Sequence, residues 1–154
     1  MLARGVAIVL TAGSTSGRAA EPASFAASDE VKAAIRATEA AMKPGQIFAA
    51  RPIVRDGTSA AAIEIWKAPG KPAVHPTEAE YVLVVAGSGS LVSGGDLVDA
   101  VVKRPGLTEG SRIEGGTTRS LAVGDVMLIP AGTPHWFGVN GGELVLLGTK
   151  LPRP

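Results

Sequence analysis

The sequence predicts an all-β domain, a sandwich or small barrel, standing behind one N-terminal helix. Three observations carry that expectation. The 20 glycines and 11 prolines are spread over 154 residues without a repeat period, so they punctuate many short segments. From Gln46 onward the apolar residues recur with a period of two, the signature of strands with one face buried. A single stretch, ahead of Gln46, carries the spacing of a helix.

The first segment, 1–20, reads as a secretory signal peptide. Arg4 precedes the apolar run from Val6 to Ala12, and small residues follow up to Gly17-Arg18-Ala19-Ala20. This places the mature protein in the periplasm or outside the cell; the competing reading is an N-terminal tail on a cytoplasmic protein. No stretch reaches the ~20 apolar residues of a membrane-spanning helix.

Residues 21–45 hold a spacer and the helix. Ser28 is suited to cap it, Asp29 and Glu30 complement the dipole in the first turn, and Val31, Ala34, Ile35, Thr38 and Met42 recur at helical spacing. Glu39 and Lys43 are placed for an i,i+4 pair on the outer face, and Pro44-Gly45 ends the element. One apolar stripe opposite a charged face predicts a helix laid over a sheet.

Residues 46–154 then read as the barrel domain. Strands are expected from Gln46 to Arg55, Ser59 to Lys67, Glu80 to Ala86, Ser90 to Ser93 and Leu97 to Val102. Four more follow, from Thr118 to Leu121, Val126 to Ile129, His135 to Val139 and Glu143 to Lys150. Asp56-Gly57, Gly87-Ser88-Gly89, Gly94-Gly95, Gly115-Gly116 and Gly141-Gly142 are the turn signals between them. About nine short strands at this spacing leave little room for parallel βαβ units.

Composition also excludes. Arg4 and Arg18 account for two of the 15 basic residues, leaving 13 against 14 acidic ones from Glu21 onward, and that balance offers no footprint for nucleic acid. With no cysteine there are no disulfides, thiolate metal sites or thiol nucleophile. No GxSxG elbow occurs, and the glycine pairs do not precede helices, so they are not phosphate cradles.

The chemistry concentrates around the stretch Gly124 to His135, GDVMLIPAGTPH. A Gly-Asp turn, a short apolar strand and the turn Pro130-Ala131-Gly132-Thr133-Pro134 deliver His135 at the start of the next strand. There His135 shares a face with Phe137 and Val139, while Glu80 shares a face with Val82, Val84 and Ala86. A carboxylate among valines must be paired, protonated or bound to a metal. With His75, the only other histidine, Glu80 and His135 make a minimal ligand set for a divalent transition metal, with coordination positions left open. Trp66, Glu64, Trp136 and Phe137 are the candidate lining of a small-molecule pocket. For Glu64 an exposed strand face is the simpler reading, and Tyr81, pointing away from Glu80 beside Leu83 and Val85, reads as a packing residue.

Gly70 to Gly89, GKPAVHPTEAEYVLVVAGSG, resembles the first cupin motif, and Gly124 to Asn140 resembles the second through Gly124, Pro130, Gly132 and His135. The resemblance implies a double-stranded β-helix, or jelly-roll, barrel. It also implies a metal site that in cupins takes two histidines and a glutamate from the first motif and one histidine from the second. Here one of those histidines is absent: aligning Glu80 to Gly87 places Ala73 where it should stand, and the other register places Thr77 there. The remaining His75, Glu80 and His135 resemble a 2-His-1-carboxylate site, suited to Zn, Fe, Mn or Ni. The function implied is a metal-binding protein that binds or acts on a small oxygen-rich molecule, namely a sugar, an organic acid or an aromatic. As an enzyme it would be a metal-dependent dioxygenase or an isomerase or lyase. The alternative is a metal-free binding module in which Glu80 and His135 bond to each other. A homodimer is implied by the same resemblance, and the excursion from Ser88 to Ala122 reads as a hairpin beside the barrel mouth.

Overall fold

The architecture follows from a computed structural model that describes residues 22–153; the expected signal peptide, 1–20, lies outside them. Helix α1, Ser28–Ala41, precedes β1 (Phe48–Asp56), β2 (Ser59–Trp66), β3 (Ala73–Val74) and β4 (Glu78–Ser93). The chain continues through β5 (Asp96–Val98), β6 (Val101–Arg104), β7 (Leu107–Glu109) and β8 (Arg112–Glu114). It ends with β9 (Thr117–Leu121), β10 (Val126–Ile129) and β11 (His135–Pro152). The result is the mostly-β fold with one helix that the sequence predicts.

Two long strands organise the barrel. β4 and β11 pair antiparallel from Glu78↔Pro152 to Ser93↔His135, with β2 on the other side of β11's second half and β9 and β10 both along β4. Two expected turns are therefore bends inside continuous strands. At the bend Ser88 pairs with Asn140 and Gly87 with Leu144, so residues 141–143 bulge out of β11. Gly87 takes φ +72°, and a Cβ there would lie 2.2 Å from the Glu143 carbonyl oxygen, so this crossing admits only glycine. The bend lets each strand serve both halves of the barrel, and the bulge explains why a period-two reading splits each in two.

β3, β7 and β8 are too short to show a period and were not expected. Asp99, at φ +51°, breaks the strand anticipated from Leu97 to Val102 into β5 and β6.

Two apolar layers follow from the alternation. Val82 and Val84 of β4, Leu144 and Leu146 of β11, and Phe137 fill the barrel interior. The other faces of the same strands, with Ile63 and Ile65 of β2, are covered by Val31 and Ile35 of α1 and by Met42 at its C-cap. Ile63 and Ile65 are 0% exposed, each such burial contributing about 1.5–3 kcal/mol. The helix's N-cap is Ala27 rather than Ser28, and the Glu30 carboxylate accepts from the Ala27 N–H at 2.7 Å. Glu39 does not pair with Lys43 but binds Lys67 at 3.2 Å, tying the helix to the end of β2. Thr38 is buried and accepts from Arg51 Nε at 2.8 Å, a second tie to the sheet.

Candidate metal centre

The turn between β10 and β11 sets both histidines. Gly132, at φ +79°, donates its N–H to the His75 carbonyl at 2.8 Å, which fastens the loop after β3 against this turn. The Thr133 carbonyl accepts from His135 Nδ1 at 3.0 Å, and the Gly106 carbonyl accepts from His75 Nδ1 at 3.0 Å. A carbonyl only accepts, so in the neutral ring of each histidine Nδ1 carries the proton and Nε2 the lone pair. Both Nε2 atoms face Glu80. His75 is held below the usual histidine pKa by its burial and by Lys150, against the opposing pull of the Gly106 carbonyl and Glu80, which keeps its ring neutral at pH 7.

Glu80, opposite Ile129 on β10 and Lys150 on β11, points inward with 5% of its side chain exposed. Its Oε2 lies 3.1 Å from His135 Nε2, 3.7 Å from His75 Nε2 and 2.6 Å from Lys150 Nζ. Ligand atoms of His75, Glu80 and His135 all fall within 4.8 Å of one another. Burial by itself would raise the Glu80 pKa, but His135 and Lys150 outweigh it and hold the carboxyl at about 2, so it is ionised. Oε2 is buried without an aligned hydrogen bond, the Lys150 ammonium making a close ion pair. Both Nε2 atoms thus converge on an ionised Oε2, with the Lys150 ammonium as the cation already beside it. The donor set, two imidazole nitrogens and a carboxylate, fits a divalent transition metal.

Ala73 pairs directly with His135 across the β3–β11 ladder. In the register that aligns Glu80 to Gly87, a methyl group therefore stands where the resemblance expects a histidine.

The cluster opens into a cavity of about 480 Å³. Trp66, Trp136, Phe137 and Glu64 line it, so the strand face that carries Glu64 looks inward and not into solvent. Burial, reinforced by nearby Glu80, raises the Glu64 carboxyl to about 7, with Lys150, Trp66 and His135 offsetting only part of that. Trp66 stacks at a tilt on Phe48 at 4.3 Å between centroids, and Trp136 Nε1 donates to the Gly70 carbonyl at 2.9 Å, which fixes its ring at the rim. Tyr81 is 41% exposed, so its expected packing role is at most partial.

Sequence reading missed Lys150, Arg104, Lys71 and Glu109, all of which face this cavity. For Lys150 the signal was present: Leu144, Leu146, Gly148 and Lys150 alternate along one strand, so the lysine ends an inward apolar face. Arg104 and Glu109 come from β6 and β7, and the excursion between the motifs contributes them to the cavity wall.

No protein-family model matches the sequence, and no curated protein matches it significantly. Solved structures do resemble the fold. TT1209 from Thermus thermophilus is 18% identical with a TM-score of 0.52 over 78% of this chain and 95% of its own. Rru_A2000 from Rhodospirillum rubrum, a cupin-2 domain, is 14% identical with a TM-score of 0.51 over 71% of this chain and 62% of its own. Hydroquinone 1,2-dioxygenase PnpCD, in complex with Cd2+ and 4-hydroxybenzonitrile, is 18% identical with a TM-score of 0.52 over 67% of this chain and 63% of its own. At such identities the likeness speaks for architecture alone, and the architecture it establishes for this chain is the cupin fold.

Proposed function

We propose that the protein holds one divalent ion on His75 Nε2, Glu80 and His135 Nε2 and presents it to a small oxygen-rich ligand in the adjoining cavity. The observation that carries this reading is the orientation of both rings: two backbone carbonyls take the Nδ1 protons and turn both Nε2 atoms onto an ionised, buried carboxylate. The structural neighbour PnpCD is in complex with Cd2+, which supports a divalent ion here. Zn, Fe, Mn and Ni all suit the donor set. When bound, such an ion supplies a Lewis acid with open positions, for polarising a carbonyl or carboxylate or, as Fe, for oxygen chemistry.

The chain's own residues narrow the ligand. Trp66, Phe48 and Phe137 offer flat apolar walls, while Lys71, Arg104 and Lys150 supply cations, a combination suited to an organic acid with an apolar or aromatic body. Glu64, with its carboxyl at about 7, both holds and releases a proton near neutrality, which suits it to proton transfer on that ligand. A dioxygenase and an isomerase or lyase both use these elements.

Metal analysis of protein purified without chelator tests the reading, repeated on His135→Ala and Glu80→Ala. About one ion per chain is expected for wild type, with affinity at least roughly tenfold weaker in either variant, since each removes one of three ligands. Equal and negligible metal in all three would overturn it. The competing reading, a metal-free binding module, is supported by the Lys150–Glu80 ion pair, which already neutralises the carboxylate. Under that reading added Zn leaves the melting temperature unchanged. Under ours, Zn at a hundred times its Kd stabilises the fold by about 2.7 kcal/mol.

Export and dimerisation belong to the same proposal. Export rests on the leader pattern of Arg4 and the run from Val6 to Ala12, and N-terminal sequencing of the mature protein checks it. The homodimer rests on β10, which among the described residues pairs only with β4 and turns Val126 and Leu128, 58% and 61% exposed, outward beside Tyr81.

A further inference from the structure

Lys150 stands where no ligand set requires a lysine. It pairs with Glu80 across the β4–β11 ladder, keeps a third of its side chain exposed, and brings Nζ to 2.6 Å from Glu80 Oε2. That oxygen is the carboxylate atom closest to both Nε2 atoms. An ion bonded to the three residues would therefore share Oε2 with the ammonium or displace it, and the two cations repel at such range in a site this poorly solvated. Glu64 and Glu109 also face the cavity, as do Lys71 and Arg104, but of the lysines and arginines described there Lys150 alone pairs with Glu80.

We propose that Lys150 is a built-in competitor for the metal centre: its ammonium holds Glu80 when no ion is bound and must withdraw for one to enter, so it sets the affinity of the site. Its exposed stem gives it somewhere to go, since β11 delivers it to the cavity and not to the sealed interior. The inference rests on the metal-binding reading above. It also gives the lost histidine a physical consequence: a site with one ligand fewer and a resident cation binds metal conditionally, while a buried carboxylate is never left uncompensated.

Zinc affinity, measured by competition with a chromogenic chelator on wild type, Lys150→Met and Lys150→Arg, tests the proposal. Methionine keeps the stem and removes the charge; arginine keeps both. Lys150→Met is expected to bind zinc roughly tenfold tighter or more, the change that one charge interaction of ordinary strength makes, and Lys150→Arg to stay near wild type. Zinc should also raise the melting temperature of Lys150→Met by more than that of wild type, because the metal-free variant has lost the partner of Glu80. Equal or weaker binding by Lys150→Met overturns the competition while leaving the metal site intact, and a gain in Lys150→Arg equal to that of Lys150→Met would make the effect one of shape and overturn it too. Failure of every form to bind zinc would sink both this inference and the reading beneath it.

Discussion

Glu64 is the residue whose charge the fold opposes, and this has a measurable sign. Its carboxyl sits at about 7 in the folded protein against 4.5 in the unfolded chain, because burial and Glu80 disfavour the ionised form. Between those values the unfolded chain releases a proton that the folded one keeps, so this residue's contribution to stability falls as pH rises from 4.5 to 7 and is flat beyond. Glu64→Gln, which imitates the protonated form, should match wild type near pH 4.5 and exceed it above pH 7 by at most about 3 kcal/mol. Urea unfolding of the metal-free proteins from pH 5 to 8 reads this; parallel stability curves would contradict it. Glu80 has the opposite sign, but its window runs from 4.5 down to about 2 and stays clear of that range. At this scale much of the site was legible. A glutamate amid valines and a histidine before a phenylalanine announce inward polar groups by parity alone. Glu64 and Lys150 obey the same parity, yet a half-polar face reads equally as solvent-facing until the cavity on its far side is known.

Among the elements, the bend shared by β4 and β11 is the joint on which the barrel depends. Gly87 combines a left-handed backbone with a Cβ position 2.2 Å from a carbonyl oxygen, whereas Gly57, at φ +55° in the β1–β2 turn, has open space around it. Gly87→Ala is therefore expected to cost about 2–4 kcal/mol and Gly57→Ala about 1 kcal/mol, by chemical denaturation. Equal costs would mean that the bend absorbs a side chain by shifting. The same joint explains what the sequence concealed. Glycine pairs usually end strands, and nothing local distinguishes a bulge that carries a strand onward from a turn that reverses it; the difference lies in the partner strand. The helix was plain because its stripe of Val31, Ile35 and Met42 follows one period throughout. Its ties to Lys67 and Arg51 were not, since both partners lie on strands distant in sequence.

For the whole molecule, the exposed face of β10 and the neighbouring part of β4 carries the proposal of a dimer. Leu128→Glu would place a charge on the outward face of an edge strand without touching the interior, and sedimentation should show a dimer shifted to monomer with the melting temperature of the monomer little changed. A wild-type monomer at micromolar concentration contradicts the proposal. The barrel itself was readable from the period-two alternation and the two motifs, while the extension of its sheet through β3 and β7 was not, because strands of two or three residues show no period.

The central claim, that this barrel gathers His75, Glu80 and His135 around one ion, is tested most directly by a crystal structure grown with zinc and measured at the zinc absorption edge. One anomalous peak is expected, bonded by both Nε2 atoms and a Glu80 oxygen at about 2.0–2.2 Å, with the Lys150 ammonium withdrawn from that oxygen. A cavity without such a peak, and Lys150 still seated on Glu80, would contradict it.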